Sequence, residues 1–242
     1  MDLEADVQKK SPEKSPTQST AETRRASWCT FGAFCCLFAT MGFLNCVGCF
    51  RWIYRYKLFP NYTSFHLSWI FSVQRACFWA FGPLYGRLFD MYGPGVIIWP
   101  LVGTCVVEVF AMSLDQEYWY IMMTQGILFG IAAGGVYTAA LLSMGQWFDR
   151  RLGLVAGIAA CGSSLGGIFY PILLQWAMKQ ASFEIAMQYT ALLIGIALIP
   201  ALFLVKGRLP ITGWDRNAKW FDLTPFRQRH YPYFIVGSFL TM

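Results

Sequence analysis

Apolar residues run along this chain in long unbroken blocks, not in the alternation of a strand or the stripe of a surface helix. No charged side chain interrupts residues 27–50, 118–148, 152–178 or 185–205. A helix needs about 20 mostly apolar residues to cross the ~30 Å hydrocarbon core of a bilayer. The blocks predict six membrane-spanning helices, at 28–50, 66–86, 95–114, 119–145, 153–176 and 184–205. Continuous runs point to helices over a closed barrel, the other structure that satisfies a backbone in lipid. Trp119 and Trp147 stand at the two ends of the fourth run. At ~1.5 Å per residue they lie about 42 Å apart, as aromatic belts at the two interfaces would. A further apolar segment, 231–242, starts at Tyr231 and is shorter than a span. The expected fold is an all-α integral membrane protein: a six-helix bundle plus the start of a truncated seventh helix.

The polar segments set the boundaries. Residues 1–26 are rich in Ser, Thr, Lys and Glu and contain no apolar core, which excludes a secretory signal peptide. They are expected as a disordered tail, followed by the bundle at 27–205, a linker at 206–230 and the seventh segment at 231–242. Charge then orients the bundle. With the tail inside, fourteen Lys and Arg fall on the inner side: five in the tail, Arg87, Arg150, Arg151, and six between Lys206 and Arg229. Four fall outside, namely Arg51, Arg55, Lys57 and Lys179. The excess of positive charge marks the cytoplasmic side, so the amino terminus is predicted inside. The formal net charge of +6 therefore reports topology and implies no nucleic-acid partner. Only 13% of residues are charged, against roughly 25% in soluble domains.

Candidate chemistry is sparse. Eight cysteines lie mostly within predicted spans, where they act as small apolar groups. Cys46-Val-Gly-Cys49 has CxxC spacing but sits in an uncharged helix, which favours packing over redox work. His66 and His230 are far apart and suggest no metal site, and no cofactor is implied. Gly82/Gly86, Gly126/Gly130/Gly134, Gly153/Gly157 and Gly162/Gly166 recur at spacing four, which allows close helix approach. Arg75 and Glu108 lie inside predicted spans, and an intramembrane charge marks function or a pair. Their depths differ by about 5 Å, which predicts an Arg75–Glu108 ion pair. Asn61-Tyr-Thr63 is an N-glycosylation acceptor in the first outer loop.

Two inner loops carry a resemblance. Gly86-Arg-Leu-Phe-Asp90-Met-Tyr-Gly93 joins the second and third spans, and Trp147-Phe-Asp-Arg150-Arg151-Leu-Gly153 joins the fourth and fifth. The first matches the G-x-L-x-D-x-x-G pattern at Gly86, Leu88, Asp90 and Gly93. The chain resembles the major facilitator superfamily, and within it the fungal monocarboxylate-porter-like branch. Supporting blocks are Phe31-Gly-Ala-Phe34 with Asn45, the run from Pro60 to Ile70 with Gln74, and the run from Gly157 to Gly167. The likeness covers about residues 28–242. It departs at Leu152, Val155, Arg51 and Arg75, and the first helix lacks the Lys by which well-known animal members hold a carboxylate.

The resemblance implies half of a twelve-helix fold, with the first and fourth helices lining a cavity and the third and sixth facing lipid. Asn45, Gln74, Arg75, Gln125 and Tyr137 are then the candidate substrate path. Arg87, Asp90, Arg150 and Arg151 are expected to form a cytoplasmic latch beside Gly86 and Gly93. The expected activity is alternating-access transport of a small organic solute: a monocarboxylate, a vitamin or an exported secondary metabolite. The expected setting is the plasma membrane. The rival reading is a non-transporting truncated or regulatory membrane protein. An enzyme is disfavoured, because no nucleophile–base, paired-carboxylate or metal-ligand cluster stands in the loops. Residues 1–242 alone are expected to insert but not to transport unless two copies, or a second six-helix half, pair in the bilayer.

Overall fold

A computed structural model describes residues 16–148 and 151–207, and every described element is helical. Helix α1 spans Pro16–Leu44, α2 Val47–Ile53, α3 Ser64–Ala80, α4 Gly82–Ala111, α5 Tyr118–Ile121, α6 Phe129–Trp147, α7 Leu152–Gln180 and α8 Phe183–Leu204. Two π-helical stretches, Tyr54–Leu58 and Met122–Leu128, extend α2 and join α5 to α6. Five helical stretches are long and apolar enough to cross a membrane: Arg24–Leu58, Ser64–Ala111, Tyr118–Trp147, Leu152–Gln180 and Phe183–Leu204.

Helix α1 begins at Pro16, within the segment expected as a disordered tail. Proline is pre-set for a first helical turn, and adding residues to an existing helix is far easier than nucleating one. Residues 1–15, the linker beyond Gly207 and the seventh segment lie outside the described residues. Helix α1 breaks at Asn45–Cys46. There the Cys46 amide donates to Phe43 O at 3.1 Å while its Sγ–H reaches Gly42 O at 3.4 Å, so one turn tightens before α2 starts.

The expected loop at 86–94 is a second correction. Helix runs through it and is interrupted only at Gly93, with φ 78° and ψ 169°. Ser64–Ala111 is thus one near-continuous stretch of 48 residues. Drawn straight it would measure about 72 Å, more than twice the hydrocarbon core. That backbone region is nearly restricted to glycine, so the last glycine of the loop motif supplies a conformation its neighbours could not.

Glycine also sets the helix spacing. A Cβ on Gly126, Gly130 or Gly134 would lie 3.4, 2.7 and 2.4 Å from the carbonyl oxygens of Ile70, Gln74 and Phe78. The fourfold repeat on α6 and its preceding turn thus meets a fourfold repeat on α3. Gly162 and Gly166 of α7 likewise face Phe34 O and Phe38 O of α1 at 2.4 and 2.5 Å, and Gly166 also abuts Gly42. The other two predicted pairs do not behave so. Gly82 and Gly86 face side chains at ordinary distance, and Gly153 and Gly157 have nothing within 4 Å. Spacing four lines residues up on one face but does not say that another helix covers it.

The core is aromatic. Phe43, Phe50, Tyr54, Phe129 and Tyr170 are buried together, with Phe43 and Phe129 centroids 4.7 Å apart. In the most apolar window of 24–58 and of 118–147, 61% is buried against the rest of the chain, against 22% for 152–180 and 33% for 183–204. The first and fourth predicted spans are therefore central, and the rest surround them. Contacts gather at two ends. At one, Trp147 Nε1 donates to Lys206 O at 2.7 Å, beside Arg25, and Gly207 adjoins Pro94. At the other, the Tyr118 hydroxyl donates to His66 O at 3.0 Å, Gln116 Nε2 to Glu184 Oε1 at 3.2 Å, and Lys57 Nζ to Met178 O at 3.5 Å.

Candidate functional site

Helix α2 is flanked on both sides by open grooves. Between α2 and α3, Val47, Arg51, Ser68, Phe71, Ser72 and Arg75 line a space of about 260 Å³. Between α2 and α7, Trp52, Lys57, Pro171 and Gln175 help line one of about 470 Å³. A further cleft, about 680 Å³, lies at the end of the bundle among Arg25, Trp28, Trp147 and Lys206.

Arg75 lies within α3 and is exposed, as is Arg51 on α2. Ser68, Ser72 and Arg75 fall at i, i+4 and i+7, which places them on one helix face. That spacing was present in the sequence and marks a shared face, while the groove itself depends on α2 lying beside it. Ser68 Oγ is engaged with Ser64 O at 2.9 Å.

The predicted Arg75–Glu108 pair does not form. Glu108 is 5% exposed on α4, and neither carboxylate oxygen has a hydrogen-bond partner. Similar depth put the two residues within reach of each other, but Arg75 is exposed on the outside of the bundle while Glu108 is enclosed. Depth along a helix says nothing about the face.

The five candidate path residues separate into two sets. Gln74 and Gln125 are buried, which corrects their assignment to the path lining. Gln125 Oε1 accepts a hydrogen bond from the Tyr54 hydroxyl, and this bond joins the two π-helical stretches across the core. Such stretches recur at functional positions of helices. Nothing in the sequence near Tyr54 signalled it, because a tyrosine in an apolar run reads as packing. Asn45 is exposed at the α1–α2 break, and Tyr137 is half-buried against Phe78 and Trp79, with centroids at 5.2 and 5.7 Å.

Asn61 is exposed in the turn before α3, where Arg55 Nη1 donates to Tyr62 O at 2.6 Å. At the opposite end lie Gly86, half-buried Arg87, exposed Asp90 and Gly93, with exposed Arg151 preceding α7. Arg150 lies outside the described residues. Cys46 and Cys49 are free thiols, Cys46 being buried in the helix packing.

Comparison with known proteins follows the same lines. Residues 26–242 match the Major Facilitator Superfamily. The chain is 33% identical over 226 residues to MFS-type transporter hasB of Aspergillus fumigatus, covering 88% of this chain and 50% of that protein. It is 36% identical over 219 residues to MFS-type transporter 1 of an Ophiocordyceps species, covering 86% and 48%. The Fujikurins efflux protein of Gibberella fujikuroi is 31% identical over 191 residues, covering 77% and 40%. The chain spans about half the length of these relatives.

Proposed function

Because the chain belongs to the Major Facilitator Superfamily, we propose that it forms one half of an alternating-access transporter that exports a small organic solute. Such a transporter works by two helical bundles rocking about a site near the midplane, and a second six-helix half or a second copy of this chain completes it. Six crossings are the reading that the two ends support. Residues near 25, 94, 147 and 206 gather at one end and those near 62, 117 and 181 at the other. Successive segments then alternate in direction, with Gly93 as the turn between the second and third.

The observation that carries the proposal is the face of α2 and α3. It presents Arg51 and Arg75 openly, with Ser68 and Ser72 beside them. A charged group at membrane depth is costly against lipid, so this face meets water, solute or a partner bundle. Tyr137 extends the path, while Gln74 and Gln125 brace it from behind. Export fits the efflux protein and transporters among the fungal relatives, and a secondary metabolite is the proposed cargo class. Arg87, Asp90, Arg150 and Arg151 are the proposed inner latch.

Untargeted metabolite profiling of cells with and without the gene tests the activity. Deletion is expected to raise at least one organic solute inside and lower it in the medium. Identical profiles in both compartments would overturn the proposal. Orientation has its own test, in the plasma membrane where the protein is proposed to reside. A cysteine replacing Asn61 in a cysteine-free variant is expected to react with an impermeant thiol reagent on intact cells. Labelling only after permeabilisation would reverse the topology.

A further inference from the structure

Arginine at positions 51 and 75 places two guanidinium groups on one groove, and no described residue lining it balances them. The groove lining of Val47, Arg51, Ser68, Phe71, Ser72 and Arg75 contains no carboxylate. From residue 47 to residue 80 the sequence holds Arg51, Arg55, Lys57 and Arg75 and no Asp or Glu. The neighbouring stretches 118–148 and 152–178 hold no charge at all. The other acids near this end do not reach the groove. Asp115, Glu117 and Glu184 are exposed at the bundle end, and Glu108 is enclosed within it.

Helix continues past the predicted end of the first span, so Arg51 lies inside the apolar stretch 24–58 as Arg75 lies inside 64–111. Cations so placed are expensive unless an anion meets them. Guanidinium binds carboxylate, sulfonate and phosphate oxygens by paired, charge-assisted hydrogen bonds, and the Ser72 hydroxyl adds a donor beside them. Val47 and Phe71 give the same groove an apolar wall. At about 260 Å³ it is smaller than the ~300–1,000 Å³ of a complete small-molecule pocket, the size expected of one half of a site.

We propose that the Arg51–Arg75 groove between α2 and α3 binds the acidic group of an amphipathic organic anion, with the apolar body of the ligand against Val47 and Phe71. This rests on reading the α2–α3 face as the solute path, and it narrows the cargo to organic acids. The rival source of balancing charge is an acidic side chain of a partner bundle, which would leave the isolated chain without preference for an anionic ligand.

The purified chain in lipid nanodiscs separates these cases, with 1-naphthoate as the probe and neutral 1-naphthamide as its uncharged counterpart. Saturable binding of naphthoate and at least tenfold weaker binding of the amide are expected. Arg51→Gln and Arg75→Gln should each weaken naphthoate roughly tenfold or more, the loss of one hydrogen bond to a charged group. Lys179→Gln, on the far side of α2, should leave binding unchanged. A second measurement needs no variant: naphthoate should protect Arg51 and Arg75 of the unaltered chain from phenylglyoxal, read by mass spectrometry, and naphthamide should not. Equal binding of the two probes, no binding by the folded chain, or modification of both arginines regardless of naphthoate would each overturn the anion site. Deletion profiles that show export of neutral solutes alone would also overturn it, while leaving the transporter reading intact.

Discussion

Alanine at Gly134 is expected to destabilise the bundle by about 1–3 kcal/mol, the cost typical of forcing extra atoms into a closed contact. The added Cβ would stand 2.4 Å from Phe78 O and 3.1 Å from Phe78 Cα and C. All three are backbone atoms of α3, so no side chain can rotate aside, and α3 and α6 must separate. Separation would propagate, because Gly130 meets Gln74 O one turn away at 2.7 Å. Leucine at Gly134 should be worse than alanine, since its whole side chain falls in the same seam. Gly157→Ala is the control: nothing lies within 4 Å of its Cβ, and alanine is the better helix former. Thermal unfolding of the purified chain in mild detergent reads the difference. Equal midpoints for Gly134→Ala and Gly157→Ala would show that the seam between α3 and α6 is looser than the structure has it.

The second large effect is expected at Gly93. With φ 78° and ψ 169° it holds the only left-handed backbone among the described residues. An L side chain in that region costs of order 1–3 kcal/mol, and Pro94 fixes the following φ, which limits relief from that side. Gly93 is also buried. Gly93→Ala should lower the yield of monodisperse protein and its unfolding temperature. Gly95→Ala, two residues on with open space around its Cβ, should change neither. If both variants behave like the unaltered chain, the break within α4 does not depend on this backbone angle. Gly93 is also the one residue with non-helical backbone inside α4.

Several features were legible in the sequence because they depend on composition alone. Apolar runs free of charge are long enough to need a bilayer, and the loop motif with Gly93 announced its family before any geometry was known. The glycine repeats at 126/130/134 and 162/166 did mark seams where one helix meets the backbone of another. The identical spacing at 82/86 and 153/157 did not, since a repeat identifies a face and only a neighbour makes it a contact. The Arg75–Glu108 pair failed for a related reason. Position along a helix gives depth at ~1.5 Å per residue, but the rotation of each helix about its axis is settled by packing against the others.

What the sequence by itself determined is the solvent and the local path of this chain: helices in lipid, separated by polar turns, with a glycine where the backbone leaves the range open to other residues. These follow from the cost of charge and of unpaired backbone in hydrocarbon, which act residue by residue. Tertiary structure alone decided which polar groups face inward. It buried Gln74, Gln125 and Glu108, joined Tyr54 to Gln125 across the core, and left Arg51 and Arg75 open on one groove. That division depends on which helix covers which face, a property of the whole bundle that no window of neighbouring residues contains.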